Sequence, residues 1–125
     1  MDTISTVSET IDDAFNGLTP TTCKFANHIG WSDVNPYEIV RVVTDKTIEI
    51  KAMKSEKDPT WLPDWVVGGF SGVCTNQQSQ KWIITSDENA VIFKIRLHKS
   101  GAWKDKHGAK YKLGNEPVKF YDFNF

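Results

Sequence analysis

Residues 37–53 read YEIVRVVTDKTIEIKAM and carry the strongest structural signal in the chain. Both ends of this stretch are rich in β-branched residues, which favour strands. Ile48, Ile50 and Ala52 alternate with polar residues, which is the two-residue period of a half-buried strand. Residues 44–46 lie between the two runs and suit a short turn. We therefore predict a β-hairpin over this stretch.

The same pattern continues downstream of the hairpin. Residues 81–85 (KWIIT) and 90–98 (AVIFKIRLH) are predicted strands, and from Val91 to Leu97 apolar residues alternate with a largely cationic set. Gly101 and Gly108 mark further turns, and a last strand is predicted at 118–123 (VKFYDF). Strands about ten residues apart with glycine-bearing turns indicate an antiparallel meander. For residues 22–125 we predict a small antiparallel β-barrel or a curled meander sheet, similar in size to an SH3 domain.

The first 18 residues have a different period. Apolar residues recur there at steps of three and four, which is one stripe of a helix: Ile4, Val7, Ile11, Phe15 and Leu18. Thr6 and Glu9 have the spacing of a capping box, and Gly17 is placed to end the helix. We predict a short amphipathic N-terminal helix within residues 1–18, in a mainly β, single-domain chain of 125 residues.

The charges are balanced overall but not locally. The chain has 15 basic and 16 acidic residues, yet residues 1–17 have four acidic residues and no basic one. Residues 91–119 have eight basic residues against two acidic ones. Such polarity mainly steers association with an oppositely charged partner.

Cysteine and hydropathy patterns limit the class of protein. Cys23 and Cys74 are not at a metal-binding or redox spacing, and whether they form a disulfide is open from the sequence. No apolar run has the length of a membrane span, and the acidic N-terminus is unlike a signal peptide. We expect a cytoplasmic protein with reduced thiols, no metal, no cofactor and no membrane contact.

Three glycines and a run of amides lie close together in residues 68–82 (GGFSGVCTNQQSQKW). The stretch lacks the Lys-Ser/Thr pair of a phosphate-binding P-loop and the GxGxxG spacing of a dinucleotide loop. One interpretation is a bulged strand at 68–75 followed by a hairpin turn at 76–79. The other is a ligand- or partner-binding surface of aromatic rings and amides. Its residues would be Trp61, Trp65, Phe70, Asn76, Gln77, Gln78 and Gln80.

The basic hairpins between residues 94 and 112 form a second candidate site. Cations that follow a phosphate backbone, with aromatic rings that stack on bases, are typical of single-strand nucleic-acid binding. The residues are Lys94, Arg96, Trp103, Lys104, Lys106, Lys110, Tyr111 and Lys112. Lysine also commonly guards exposed strand edges, which is the structural alternative.

Catalytic residues are not evident in the sequence. His28, His98 and His107 are isolated from one another, and Cys74 would act as a nucleophile only if a distant histidine folded beside it. We therefore predict a binding protein without enzymatic activity, with an enzyme that has a cryptic site as an alternative.

Several ordered motifs carry a resemblance. WSDVNPYEIVRV (31–42), KTIEIKAM (46–53), VGGFSGVCTNQQSQKW (67–82), KSGAW (99–103) and YDFNF (121–125) together resemble a family of small uncharacterised proteins of bacteriophages, prophages and other mobile elements. The likeness covers about residues 27–125, and Val67 departs from it where the family would have proline. The resemblance implies a setting but no activity. In that setting the chain would inhibit or modulate a host or anti-phage defence protein in the host cytoplasm, in the manner of an anti-CRISPR protein, or sequester a nucleotide signal. Homo-oligomerisation is compatible with either role.

Overall fold

The computed structural model describes residues 22–68 and 71–124, and in this part of the chain the fold is almost entirely β. The strands are β1 (Phe25–Ile29), β2 (Val34–Asn35), β3 (Tyr37–Thr44), β4 (Thr47–Lys57), β5 (Trp65–Gly68), β6 (Ser71–Cys74), β7 (Trp82–Ser86), β8 (Ile92–Leu97), β9 (Trp103–Lys104) and β10 (Lys110–Gly114). One 3₁₀ turn covers Gln77–Ser79. The predicted N-terminal helix lies outside the described residues.

Six of the strands close into an antiparallel barrel. Their order around the wall is β1, β3, β4, β8, β9 and β10, and β10 then pairs with β1. β2 pairs with β1, and β7 pairs with the second half of β4. The predicted small antiparallel β-barrel is thus confirmed.

The predicted hairpin is present as β3 and β4, with Thr44 opposite Thr47 at the turn. Register shifts interrupt the pairing on either side of Arg41 and Val42. Bulges of this kind bend a strand and increase its twist, which helps a small sheet to close. At eleven residues β4 is long enough to pair with β8 first and with β7 afterwards.

The core is filled by the inward face of alternating strands. Ile48 and Ile50 on β4 and Ile95 on β8 are fully buried. They pack with Cys23, Ala26, Trp103, Tyr111 and Leu113. The expectation that Val91 continues this face is wrong: Val91 precedes β8 and is 79% exposed. The alternation begins only where the strand begins.

The predicted last strand, 118–123, is also wrong. Residues in this segment form one isolated bridge, between Phe120 and Val34, and no strand. Side chains from elsewhere take the place of a neighbouring strand. Asn27, for example, accepts from the Val118 amide and donates to the Glu116 carbonyl. The C-terminal segment is therefore held against the barrel by side chains.

The glycine-bearing stretch forms its own hairpin. β5 and β6 pair with each other, with Gly68 opposite Ser71, and make a separate two-stranded sheet. Residues 76–79 do not form the predicted hairpin turn, because β7 pairs with β4 rather than with β6. They instead lead through the 3₁₀ turn to β7.

Candidate functional site

The aromatic residues of the first candidate site lie in different environments. Trp61 is only 6% exposed, its ring packs 5.4 Å from that of Phe123, and its indole N–H donates to the Ser79 hydroxyl at 3.1 Å. Trp65 is half exposed and contacts Phe123 edge-on. Phe70 lies outside the residues whose side chains are described. Of these rings, Trp65 has a face that a partner can reach.

Two of the amides hold loops together. The Asn76 side chain accepts from the Asp64 amide at 2.7 Å and donates to the Leu62 carbonyl at 2.9 Å. The Gln77 side-chain oxygen accepts from the Phe123 amide at 2.9 Å. Both side chains therefore substitute for backbone partners that these loops lack.

Gln80 has its amide fully engaged. Its NH₂ group donates to the carbonyls of Gln77 and Tyr121, and its oxygen accepts from the Tyr121 amide and the Trp82 indole N–H. Gln78, by contrast, is exposed and makes no side-chain hydrogen bond within the described part of the chain. The amide run thus organises the C-terminal segment, and Gln78 is the member that stays open.

An apolar surface remains around Trp65 on the β5–β6 hairpin. The exposed residues there are Leu62, Trp65, Val66, Val67 and Val73, of which Val67 is 90% exposed. No charged residue occurs from residue 65 to residue 80. Natural strand edges are usually guarded by charges, so this apolar hairpin is unusual for a surface that stays in water.

A cavity opens on another part of the barrel, beside β8. β9 has two residues and pairs with β8 only at Arg96 and Leu97. The wall of the barrel is therefore incomplete beside the first half of β8, and the loop after β9 faces it. The cavity has a volume of about 820 Å³. Its lining is Tyr37, Phe93, Lys94, Arg96, His98, Lys104, Asp105, Lys106, His107 and Tyr111.

Aromatic rings form one side of the cavity. Tyr37, Phe93 and Tyr111 contact one another at centroid distances of 5.4 to 6.2 Å, mostly edge to face. His28 packs edge-on against Tyr111 at 5.3 Å. The cluster forms because inward-facing positions of β1, β3, β8 and β10 meet there. The Tyr37 hydroxyl has no hydrogen-bond partner among the described residues, so it can bond to a ligand.

Four cations also contribute to the lining, namely Lys94, Arg96, Lys104 and Lys106, of which Lys94 and Arg96 alternate on β8 with the inward-facing Phe93 and Ile95. Arg96 lies directly opposite Lys104 in the pairing of β8 with β9. Like charges opposite each other destabilise a sheet. No carboxylate among the described residues lies within ion-pair distance of any of the four, although Glu49 on β4 lies opposite Lys94 and the two charges attract. The cavity is therefore open to an anion.

Asp105 is the one carboxylate among the described residues that line the cavity, and it accepts hydrogen bonds from the loop after β9. It accepts hydrogen bonds from the amides of His107 and Ala109 and from the Tyr111 hydroxyl at 2.8 to 3.0 Å. Partial burial raises its pKa, but these hydrogen bonds outweigh burial, so the pKa lies below its ordinary value. Asp105 thus stays ionised as a structural acceptor.

The two tyrosines remain neutral. Burial, and then the hydrogen bond to Asp105, raise the pKa of Tyr111 far above its ordinary value. Burial, and then the Asp105 charge, raise the pKa of Tyr37. His98 also lines the cavity but makes no hydrogen bond with Asp105. Asp105 and Tyr111 thus form a hydrogen-bonded pair that joins the loop after β9 to β10.

The second candidate site is brought together in part. Lys94, Arg96, Lys104, Lys106 and Tyr111 all line the cavity. Lys110 and Lys112 are exposed on β10 outside it. Trp103 is 7% exposed within the core, so it has no open face on which a base could stack.

Of the three rings in this cavity, the sequence indicates Tyr111 as a site residue. Its patterns indicate Tyr37 and Phe93 only as strand residues. The alternation of apolar and polar residues along their strands indicates that both side chains point inward. No local signal shows that the barrel wall beside them is incomplete.

The two cysteines are both free and buried, which resolves the question of a disulfide. Burial raises the pKa of the Cys23 thiol, which lowers its reactivity. Residues 22–68 and 71–124 contain no group of three or more His, Cys, Asp or Glu side chains that could hold a metal ion.

The described residues also include no helix with the length and apolar character needed to cross a membrane. No protein-family model, curated protein or solved structure matches this chain, so its own cavity and surfaces are the basis for inferring function.

Proposed function

We propose that this chain is a binding protein without enzymatic activity and that its cavity binds a nucleotide. The observation that carries the proposal is the presence of aromatic rings and of Arg96 and Lys104, which form no ion pair with the described residues, in the lining of one cavity of about 820 Å³. This volume is within the usual range of small-molecule sites. Aromatic rings suit a base, and cations suit a phosphate.

The contacts of such a ligand follow from the side chains present. The rings of Tyr37 and Phe93 offer aromatic surface to a base, and the Tyr37 hydroxyl offers a hydrogen bond that no described residue takes. Arg96 can bind a phosphate through two parallel N–H donors, while Lys104 acts as a point charge.

The repulsion between opposite cations also favours an anionic ligand. Arg96 and Lys104 are held opposite each other by the β8–β9 register in the free protein. A phosphate between them would replace this repulsion with attraction to both. The ligand-free protein is thus less stable than it would be with neutral side chains at these two positions. A bound phosphate would remove this destabilisation.

The resemblance to proteins of phages and mobile elements supports a role for this binding. In such a setting a small protein without catalytic residues acts by capture. We propose that the chain sequesters a nucleotide ligand used by the host or by an anti-phage defence system in the host cytoplasm.

Thermal unfolding with a nucleotide panel tests the proposal. At a ligand concentration of about 100 times Kd the stability should rise by about 2.7 kcal/mol. For 125 residues, this corresponds to a Tm increase of about 10 °C. The panel should include mononucleotides and cyclic dinucleotides, with inorganic pyrophosphate to separate phosphate binding from base binding.

A variant with Arg96→Gln and Lys104→Gln provides the site-specific control. We expect it to lose at least tenfold in affinity because two charged hydrogen-bonding groups are gone. We expect its ligand-free form to be no less stable than the wild type, since the repulsion is also gone. Lys81→Gln, which changes an exposed lysine outside the cavity, should bind as the wild type does. Failure of every nucleotide to raise the Tm would contradict the proposal.

The apolar β5–β6 hairpin supports a second candidate function, the binding of a protein partner. Trp65, Val66 and Val67 are exposed in a stretch that has no charge. We propose that the partner is a host or defence protein that presents an uncharged apolar surface. Gln78, whose side chain makes no hydrogen bond within the described residues, lies beyond the same hairpin.

Two matched valine variants test this second candidate. Val67→Lys places a charge on the hairpin, and Val91→Lys places the same charge at a comparably exposed valine before β8. A captured host protein, purified and recombined with this chain, should co-elute with the wild type and with Val91→Lys but not with Val67→Lys. Equal co-elution of both variants would remove the hairpin as the contact surface.

A further inference from the structure

The cationic surface does not end at the cavity. Lys104 is opposite Arg96 on one side and opposite Lys110 on the other, so the three side chains form a row across β8, β9 and β10. Residues opposite each other in neighbouring antiparallel strands point to the same face. With neighbouring strands about 4.8 Å apart, the row extends about 10 Å across the outside of the barrel.

The row leads toward an exposed tryptophan. The next register partner of Lys110 is Ile29, the last residue of β1. Trp31 follows two residues later, in a turn closed by the hydrogen bond from the Gly30 amide to the Asp33 carbonyl at 2.9 Å. Trp31 is 93% exposed and makes no ring contact with any described residue. A large ring left almost wholly in water suits a stacking platform.

We infer that the Arg96–Lys104–Lys110 row and Trp31 extend the cavity into a track for a single strand of nucleic acid. The inference rests on the proposed function, because the cavity takes one nucleotide of the strand. Phosphates follow the row, and a later base stacks on Trp31. This combination of a cation track and an aromatic platform is what sequence-tolerant single-strand binding uses.

The same features disfavour a duplex. A duplex keeps its base faces stacked inside, so neither Trp31 nor the aromatic wall of the cavity could stack on a base. A free nucleotide, in turn, would leave Lys110 and Trp31 without a role. The row and Trp31 therefore fit a single strand, of which a mononucleotide would occupy only the cavity.

Affinity as a function of strand length tests the inference. Fluorescence anisotropy would compare thymidine monophosphate, as a competitor, with labelled oligothymidylates of two to eight nucleotides and with a labelled duplex. We expect affinity to rise with length until the row and Trp31 are covered and then to level off. For three neutralised phosphates, the slope of log K against log salt should be about −2.

A variant of the platform separates its role from that of the cavity. Trp31→Ala should weaken the longer oligonucleotides about tenfold and leave the mononucleotide unchanged. Trp65→Ala removes a half-exposed tryptophan on the hairpin and serves as the matched control, with no expected effect on either ligand.

The outcomes distinguish this inference from the proposed function. Equal affinity for the mononucleotide and every longer strand would overturn the track and leave the cavity proposal standing. Binding of the duplex as tightly as the single strand, or equal losses from Trp31→Ala and Trp65→Ala, would also overturn it. If neither a nucleotide nor an oligonucleotide bound, both the single-strand track and the nucleotide-binding cavity would be overturned.

Discussion

The amide of Gln80 provides a direct test of how this fold holds its C-terminal segment. All four of its hydrogen-bonding positions are used, at 2.6 to 2.9 Å. Two of the bonds join it to the backbone of Tyr121, which lies 41 positions away in the sequence. Gln80→Ala therefore removes the contact that fastens residue 121 to the turn before β7.

The magnitude follows from these bonds. Each neutral hydrogen bond contributes roughly 1 kcal/mol to stability. Because Gln80 is only half buried, water can replace some of the lost partners. We expect Gln80→Ala to lower the free energy of unfolding by about 2 kcal/mol. With a urea slope of about 2 kcal/mol per molar, the unfolding midpoint falls by about 1 M.

Urea unfolding followed by tryptophan fluorescence measures this loss. Gln78→Ala is the matched control, because Gln78 belongs to the same turn, is exposed and makes no side-chain hydrogen bond in the described part. We expect its midpoint to stay within about 0.3 M of the wild type. If the two alanine variants had equal midpoints, the structural role of Gln80 would be refuted.

An isosteric variant sharpens the test. Gln80→Glu replaces the NH₂ donor with an oxygen that faces two carbonyls, those of Gln77 and Tyr121. An ionised glutamate is repelled there, whereas a protonated one can donate again. We expect Gln80→Glu to be less stable at pH 7 than at pH 4 relative to the wild type.

Three further predictions concern the core, the cavity loop and a turn. Ile95→Ala should lower stability by about 2–5 kcal/mol, because Ile95 is fully buried; the exposed Ile92→Ala should cost far less in the same urea titration. Asp105 has a lowered pKa in the folded protein. Its contribution to the free energy of unfolding is therefore present above about pH 4 and is lost as the pH falls through that folded pKa. The stability difference between the wild type and Asp105→Asn should therefore shrink on acidification, and a difference constant with pH would contradict this role. Gly101 has a φ of +87° with open space around it. Gly101→Ala should thus cost about 1–2 kcal/mol from backbone strain alone, as a thermal scan would show.

Short-range patterns in the sequence were enough to predict most of the barrel. The β3–β4 hairpin and the inward face of β8 from Phe93 onward depend on alternation among neighbouring residues, and both are present. Gly101 and Gly108 both have positive φ at the turns predicted for them. These features are local because strand direction and turn geometry depend on a few adjacent residues.

The candidate sites were less predictable, because a side chain's partner cannot be read from its type. An amide has the same donors and acceptors whether it meets a ligand or a distant backbone segment. Gln77 and Gln80 meet the C-terminal segment, and Trp61 packs under Phe123. The sequence therefore shows which side chains can form hydrogen bonds, but it does not show which groups are their partners.

What the sequence alone determined is the strand period, the turns and the cationic outer face of β8, since all of these are local. Tertiary structure decided the closure of β10 on β1 and the gap in the wall that the two-residue β9 leaves beside Phe93. It also placed Arg96 opposite Lys104 beside Tyr37 and Tyr111. These juxtapositions join residues far apart in the chain, and they exist only once the barrel has closed.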